Sequence, residues 1–286
     1  VPRSTFNNCR KMKLAPLVKP LSIRTLVNSV TSSIGKLYTD RLTRQVTKRP
    51  LPKHVAMILD GNRRFALSKN YEDVTEGHKK GVSKVEEFIA WANELQIHTI
   101  TLWALSTDNL KRSDSELEKL LDIVESNVDN WLDESKVPLL QRKVKIIGRT
   151  ARLSASFLNK MSQVESLTES AGPWQLNVAM EYGGRDELLD AFIAILRDGH
   201  QHNLSLSELA ANLSLEDIQN HLYGPNDPEP DLIIRTGGDT RLSGFLLWQS
   251  VYSELYFCNA FWPAFQKHDF LTAIKSYQDR IRRYGV

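Results

Sequence analysis

The sequence lacks the features of a secreted, disulfide-stabilised or membrane-spanning protein. Only two cysteines occur among 286 residues, Cys9 and Cys258, and they lie far apart in the chain. This count indicates neither a disulfide framework nor a cysteine-based metal site. No apolar run approaches the roughly 20 residues that a membrane-spanning helix needs. We therefore expect a protein of a reducing compartment, and the cytoplasm is the expected location.

Several motifs of phosphate chemistry are also missing. The sequence contains no G-x-x-x-x-G-K-[ST] segment, which argues against a P-loop, and no G-x-G-x-x-G dinucleotide fingerprint. It has no Asp-Asp pair, which argues against the aspartate-rich motifs of the all-helical prenyltransferases. A phosphatase of the haloacid type would have an aspartate two residues before Asp60, where Ile58 stands.

Acidic residues are absent from the first 39 positions, which contain seven basic residues. Such a segment is compatible with a transit peptide, with an arm that contacts an anionic membrane surface, or with a solvated extension. The segment 48–52 that follows contains two prolines and is expected to be an extended linker. We divide the chain into a basic arm and linker, residues 1–50, and one folded domain, residues 51–286.

In the folded domain, short apolar runs alternate with longer amphipathic segments. The runs that predict strands are 54–59, 99–105, 144–147, 176–180, 232–234 and 255–257. Helices are predicted at 79–95, 113–132, 154–168, 184–197 and 267–283, with helix-prone turns over 205–222. This alternation predicts a single α/β domain with a mostly parallel central sheet of about six strands flanked by helices.

Polar loops follow four of the predicted strands, at 60–64, 106–109, 181–185 and 235–239. Active sites in open parallel sheets form at the carboxyl ends of the strands, so we expect these loops on one rim. In the first loop, Asp60 can hold a hard cation, Gly61 lets the backbone approach an anion, and Arg64 matches phosphate oxygens. Taken alone, this loop is better explained as an ordinary turn with solvated arginines.

The segment 235–243 favours the functional interpretation. Arg235 and Arg241 flank a flexible Gly-Gly pair and can converge on one diphosphate, to which Ser243 can donate another hydrogen bond. Glu254 is a second candidate carboxylate for a metal ion. Magnesium shared between carboxylates and phosphates commonly neutralises charge on a leaving group. The residues therefore predict a diphosphate site with Mg²⁺, and by themselves they leave the reaction open.

Six segments resemble the cis-prenyltransferases, the family of undecaprenyl and dehydrodolichyl diphosphate synthases. They are 54–64, 77–79, 105–112, 181–185, 231–243 and 245–249. The resemblance covers residues 51–286 in the family's order. Segments 71–74, 241–250 and 262–265 look most similar to an actinobacterial branch that includes Z-farnesyl diphosphate synthases. Residues 51–286 are thus expected to be a cis-prenyltransferase catalytic domain.

This resemblance implies a reaction and a set of roles. The reaction is condensation of isopentenyl diphosphate with an allylic primer, geranyl or farnesyl diphosphate, to give a Z-configured prenyl or polyprenyl diphosphate. The resemblance implies that Asp60 and Glu254 bind the metal ion, and that Gly61, Asn62, Arg64 and His78 bind the diphosphate of the primer. It further implies that isopentenyl diphosphate is bound by Arg235, Arg241 and Ser243. Ser106, Asn109 and Arg112 are implied to take part in the loss of the proton.

The resemblance also implies a homodimer, with no nucleic-acid partner. The ending Arg283-Tyr-Gly285 matches a family motif that reaches the partner's substrate site. Departures from the family pattern occur at Asp108, at Leu110 and at 74–76, where an arginine is often found. A non-catalytic or partner-dependent subunit is the alternative function, and a phosphatase or terpene cyclase on the same site is a further one.

Product length is expected to depend on an apolar tunnel between the first helices and the sheet. A larger residue often stands at the position of Ala104 in the short-chain branch, so alanine permits a longer product. Phe88 and Trp91 could narrow the tunnel instead, although core packing is the simpler interpretation of both. Similarity to the branch favours a short product and Ala104 a longer one, and the sequence leaves both open.

Overall fold

A computed structural model describes residues 23–111, 114–132 and 141–280 of the chain. Side chains are described from residue 35 onward, apart from those of residues 111 and 114. Arg112, the helix cap at Ser113 and the motif at 283–285 lie outside the described residues. Among the described residues, no helix has the length and apolar content that a bilayer crossing requires.

The described residues form six strands and nine α-helices. The strands are β1 (His54–Ile58), β2 (Thr99–Trp103), β3 (Lys143–Ile147), β4 (Gln175–Ala179), β5 (Leu232–Arg235) and β6 (Glu254–Phe257). The helices are α1 (Ile23–Val46), α2 (Asn62–Ser68), α3 (Thr75–Glu94), α4 (Asp114–Trp131), α5 (Ala155–Thr168), α6 (Gly184–Gln201), α7 (Leu206–Asn212), α8 (Leu215–Asn220) and α9 (Lys267–Asp279). Short 3-10 helices occur at Thr107–Lys111 and Trp262–Ala264.

The six strands form one sheet in the order β3-β4-β2-β1-β5-β6, and every neighbouring pair is parallel. The predicted α/β fold is therefore confirmed, with a sheet that is wholly rather than mostly parallel. At the carboxyl end of β1, Ile58 pairs with Trp103 of β2 and with Arg235 of β5. This register places the loops after β1, β2 and β5 side by side on one rim.

Aromatic side chains pack on both faces of the sheet. On one face, Phe88 of α3 is fully buried, with its ring centre 6.0 Å from that of Trp262 and 4.9 Å from that of Phe270. Trp103 stacks on Phe245 in a second cluster, with ring centres 4.9 Å apart. Core packing of Phe88 is thus confirmed. Trp91 is partly buried against the same core and lies beside Phe265.

Helices α1 and α2 are two elements that the sequence analysis did not predict. At the end of α1, Leu42 and Val46 are buried against the domain, and the amide of Gln278 in α9 donates a 2.9 Å hydrogen bond to the carbonyl of Val46. Arg49, in the linker, forms a 2.5 Å ion pair with Asp279. The end of the basic arm therefore packs on the folded domain.

Candidate active site

A polar cavity of about 380 Å³ opens on the rim where β1, β2 and β5 end. It brings together nine of the residues that the sequence analysis proposed for the site. These are Asp60, Gly61, Asn62, Arg64, His78, Ser106, Asn109, Arg235 and Ser243. The loops that follow three different strands thus supply one continuous surface, as expected for an open parallel sheet.

The carboxylate of Asp60 lies between two arginines. Its Oδ2 accepts a 2.7 Å hydrogen bond from Nη2 of Arg235, and its Oδ1 accepts one of 3.1 Å from Nη2 of Arg64. Thr236 fixes the backbone at this point, because its Oγ1 accepts from the Asp60 amide at 3.0 Å and lies 2.8 Å from the Asp60 carbonyl oxygen. The position of Asp60 is therefore set by the neighbouring strand end.

Arg235 is the buried centre of the cluster, with about 5% of its surface exposed. Its guanidinium donates to Ser243 Oγ at 2.8 Å, to Asp239 Oδ2 at 3.1 Å and to the carbonyl of Arg241. The side chain of Arg241 is largely exposed and pairs with Asp239 at 3.1 Å. Three arginines, Arg64 included, thus share two aspartates, which leaves one positive charge in excess and suits a polyanionic ligand.

This arrangement controls the charge of Asp60. Burial alone would raise the pKa of the carboxyl, but the hydrogen bond and charge of Arg235, and then of Arg64, hold that pKa below its usual value. Asp60 is therefore ionised at neutral pH. An ionised carboxylate at a strand end is a suitable oxygen ligand for a hard cation.

Gly61 begins α2 with a backbone conformation that favours glycine. Its φ is 101°, and an added Cβ would lie 2.7 Å from the ring of Phe261. The guanidinium of Arg64 lies 5.7 Å from the centre of the same ring, within the range of a cation–π contact. Phe261 therefore limits where both the loop and Arg64 can lie.

The start of α3 packs directly on Asn62. A Cβ on Gly77 would lie 2.0 Å from the backbone oxygen of Asn62, and one on Gly81 would lie 2.2 Å from Asn62 Oδ1. The amide of Asn62 donates to the carbonyl of Leu59 at 3.1 Å. His78 is buried between the two glycines and lines the cavity. The glycines thus let α3 bring His78 beside the Asp60 loop.

Ser106 and Asn109 hold each other after the end of β2. The backbone amide of Ser106 donates to Asn109 Oδ1 at 2.9 Å, and that of Asn109 donates to Ser106 Oγ at 3.1 Å. Both residues line the same cavity as Arg235. These reciprocal bonds use neither the side-chain amide nitrogen Nδ2 of Asn109 nor the hydroxyl hydrogen of Ser106, so both can donate to a ligand.

Glu254 lies away from the Asp60 cluster. It pairs with Leu232 at the amino end of β6, three residues before Phe257, which pairs with Arg235. At about 3.3 Å per residue, this is roughly 10 Å back along the strand. Its carboxylate accepts a 2.5 Å hydrogen bond from Arg280. Within one chain, the structure does not bring Glu254 and Asp60 together.

Two residues of the cluster received no role in the sequence analysis. Asp239 joins Arg235 and Arg241, and lies 3.5 Å from Nη2 of Arg64, while Thr236 holds the Asp60 backbone. The sequence did contain a signal for Asp239, because it stands four residues after Arg235 and two before Arg241. An acidic residue so close to two basic ones can form ion pairs with both.

A separate metal cage is not found among the described residues, where no group of three or more His, Cys, Asp or Glu side chains could hold an ion. The cluster nevertheless fits Mg²⁺ of the kind that uses one or two carboxylates together with substrate phosphates. Asp60 lines the cavity, and Asp239 lies close by, 3.1 Å from the same Arg235 guanidinium. A magnesium ion would therefore be held by Asp60 and the bound diphosphate rather than by protein alone.

An apolar cavity of about 80 Å³ adjoins the polar one. The two share Leu59, Asn62, His78, Ala104 and Leu120 in their walls. From Leu120 the apolar wall follows α4 through Val124 and Val128 to Trp131. Eleven residues of helix correspond to about 16 Å. The apolar cavity therefore begins at the site and extends between α4 and the sheet, in the region where a tunnel was predicted.

The fold and site define an α/β protein that places a cluster of arginines and aspartates beside an apolar cavity. Residues 58–285 match the family model described as putative undecaprenyl diphosphate synthase. The chain therefore belongs to the cis-prenyltransferase family. It is a prenyl diphosphate synthase that condenses isopentenyl diphosphate with allylic diphosphates.

Relatives and a solved structure agree with this assignment. The chain is 45% identical to a (2Z,6E)-farnesyl diphosphate synthase of Thermobifida fusca, over 87% of this chain and 96% of the relative. It is 42% identical to a geranylgeranyl-diphosphate-specific tritrans,polycis-undecaprenyl-diphosphate synthase of Thermoplasma acidophilum, over 90% and 99%. Lavandulyl diphosphate synthase from Lavandula x intermedia, solved with dimethylallyl diphosphate, superimposes with a TM-score of 0.77 at 33% identity, over 85% and 100%.

These relatives carry different product names at similar identity. Membership of the family is therefore shown, whereas the resemblance to one branch stays a prediction.

The contact between Gly77 and Asn62 can be tested by Gly77→Ala. The new methyl group would overlap the Asn62 backbone, so we expect a loss of unfolding free energy on the order of 3 kcal/mol and a raised KM for the primer. Urea unfolding and steady-state kinetics measure the two effects. Gly35→Ala is the control, because nothing lies within 4 Å of its Cβ position. If Gly77→Ala and Gly35→Ala had the same unfolding free energy and the same KM, the packing argument would be contradicted.

Proposed function

We propose that this chain joins isopentenyl diphosphate to geranyl or farnesyl diphosphate at the Asp60 cluster and releases a Z-configured prenyl diphosphate. One observation carries the proposal: Arg64, Arg235 and Arg241 surround Asp60 and Asp239 at the mouth of an apolar cavity. A prenyl diphosphate has a charged diphosphate head and an apolar tail, so it requires a cationic surface next to an apolar cavity.

The arginines bind the diphosphates by exchanging partners. In the ligand-free cluster their N–H groups donate to aspartates, and a diphosphate offers more oxygens in similar geometry. We assign the primer's diphosphate to Gly61, Asn62, Arg64 and His78, and isopentenyl diphosphate to Arg235, Arg241 and Ser243. Because the donors already converge before binding, little reorganisation is needed when the diphosphate leaves.

The reaction breaks the allylic C–O bond, and the electron pair leaves with the primer's diphosphate. The double bond of isopentenyl diphosphate attacks the allylic carbon, and one proton is lost to complete the new double bond. Asp60 would hold Mg²⁺, which would supply charge neutralisation for the departing diphosphate. Ser106 and Asn109 line the cavity where this proton is released, and the apolar walls shield the allylic carbon from water.

Labelled turnover tests the assignment of Asp60. With radiolabelled isopentenyl diphosphate, Mg²⁺ and an allylic primer, we expect labelled product from the natural chain and a loss of at least about 100-fold in Asp60→Ala, since this variant removes the carboxylate that would hold Mg²⁺ at the departing diphosphate. Asp122→Ala, an exposed aspartate of α4, is the matched control. Turnover by the natural chain only after addition of another chain would instead support the partner-dependent subunit.

We also propose that the growing chain enters along α4, past Ala104 and toward Trp131. Ala104 stands in the wall that both cavities share, so its small side chain leaves the entrance open. Trp131 is 5% exposed, and its indole nitrogen has no hydrogen-bond partner among the described residues. Together with Phe157 and Met161, Trp131 forms a bulky part of the apolar cavity wall at the end of α4. The small side chain of Ala104 thus allows the product to enter the cavity, and the bulky wall at Trp131 limits the length that the product can reach.

Product length tests this path. We expect Trp131→Ala to lengthen the main product by at least one isoprene unit, and Ala104→Leu to shorten it, because each changes the space available to the chain. Thin-layer or mass analysis of the labelled products measures length. Trp91→Ala is the control, since Trp91 packs beside Phe265 outside the cavity wall. If Trp131→Ala left the distribution of product lengths unchanged, some other residue would limit the chain length.

A homodimer is part of the proposal. Leu189, Phe192 and Leu196 recur at helical spacing on α6 and are 54%, 43% and 51% exposed. An apolar stripe of this kind suits a second copy of the chain. Light scattering in solution, with a mass near twice 32.6 kDa, is the corresponding measurement.

A further inference from the structure

The turn that carries Ser243 has an uncommon backbone conformation. Ser243 has a φ of 53° and Leu246 a φ of 45°, and Gly244 between them has a φ of 92°. Residues other than glycine seldom adopt this left-handed region, because their Cβ atom is crowded there. Such a conformation persists only where the surrounding structure holds it. The groups that pack on this turn therefore decide where the Ser243 hydroxyl lies.

A pair of stacked rings holds the turn against the sheet. Phe245, in the middle of the turn, is fully buried, and its ring stacks on that of Trp103 with 4.9 Å between the ring centres and 8° between the planes. Tyr182 meets the Phe245 ring edge-on, at 5.9 Å between centres. The indole of Trp103 is fixed in turn, because its Nε1 donates a 3.1 Å hydrogen bond to the carbonyl of Tyr182. Trp103 thus presents a flat face in a set orientation to Phe245.

The stacked pair lies next to the arginine and aspartate cluster. Trp103 is the last residue of β2 and pairs with Ile58, which also pairs with Arg235. Arg235 donates a 2.8 Å hydrogen bond to Ser243 Oγ, and both Trp103 and Ser243 line the polar cavity. Because Phe245 comes only two residues after Ser243, a shift of its buried ring would move the Ser243 hydroxyl.

Two backbone hydrogen bonds also hold the turn. The amide of Gly184, at the start of α6, donates to the carbonyl of Gly244 at 2.8 Å, and the amide of Ser250 donates to the carbonyl of Leu246 at 2.9 Å. Neither bond involves Trp103, so both can persist when the ring stack is removed. Loss of the stack is therefore expected to displace Ser243 rather than to unfold the segment.

We propose that Trp103 is a positioning residue for isopentenyl diphosphate. Its ring stacks on Phe245 and so holds the left-handed turn that directs the Ser243 hydroxyl at the diphosphate. This inference rests on the proposed function, in which Ser243 binds isopentenyl diphosphate. A role in core packing alone would need only an apolar side chain of suitable volume, whereas stacking on Phe245 needs a flat ring.

Trp103→Leu and Trp103→Phe are a matched pair of variants that tests this role. Both remove the indole N–H group and some volume, but only phenylalanine keeps a flat ring on Phe245. Calorimetry with isopentenyl diphosphate in the absence of a primer measures its dissociation constant, and steady-state kinetics measures KM for each substrate. We expect Trp103→Leu to bind isopentenyl diphosphate about 10-fold more weakly, as for the loss of one hydrogen bond, with KM for the primer unchanged. Trp103→Phe should stay within about threefold of the natural chain.

Phe270→Leu is the control, because Phe270 is a fully buried ring in the other aromatic cluster. It should lower the free energy of unfolding and leave the dissociation constant of isopentenyl diphosphate unchanged. Phe245→Leu removes the stack from the side of the turn, keeps the hydrogen bond of Trp103, and should weaken binding as Trp103→Leu does. It provides the same test if Trp103→Leu does not fold.

A double-mutant cycle with Ser243→Ala tests whether Trp103 acts through Ser243. Once the hydroxyl is absent, Trp103→Leu should weaken binding little further, because the two changes remove the same contact. Additive losses would overturn the proposal, as would equal binding by the natural chain and Trp103→Leu, or an equal loss in Trp103→Leu and Trp103→Phe. A natural chain that does not bind isopentenyl diphosphate at all would overturn the proposed function, and this inference with it.

Discussion

The ion pair between Asp60 and Arg235 is the contact on which the site depends. A buried guanidinium is costly unless its charge and donors are satisfied, and Asp60 lies 2.7 Å away to do so. The parallel register of β1 and β5 brings them together, since Ile58 pairs with Arg235 and Asp60 comes two residues later. The pairing of β1 with β5 therefore determines which charged side chains lie together in the site.

The same contact suits the site for diphosphates. Arg235 is held rigidly by Asp60, Asp239 and Ser243, so its donors point to fixed positions before a ligand arrives. One cation in excess favours a polyanion, and the ionised Asp60 is ready to share a metal with it. Because the apolar cavity begins at Ala104 beside this cluster, the head and tail of one substrate meet two different surfaces.

The sequence predicted the strands and most of the site because both follow from local pattern. Buried parallel strands are short apolar runs, and rim loops are the polar residues that follow them. Helix α2 was predicted as loop, because its seven residues are mostly polar. Glu254 was proposed as a second metal carboxylate, although it precedes the predicted strand at 255–257, which already placed it at the opposite edge of the sheet from Asp60. The wall at Trp131 depends on how α4 packs, which no local pattern reveals.

Binding of isopentenyl diphosphate alone is the most direct test of this account, because no reaction occurs without a primer. Titration calorimetry should give tight binding to the natural chain, and Arg235→Met should lose most of that binding. Binding to Arg235→Met as tight as to the natural chain would contradict the assignment of this cluster as the diphosphate site.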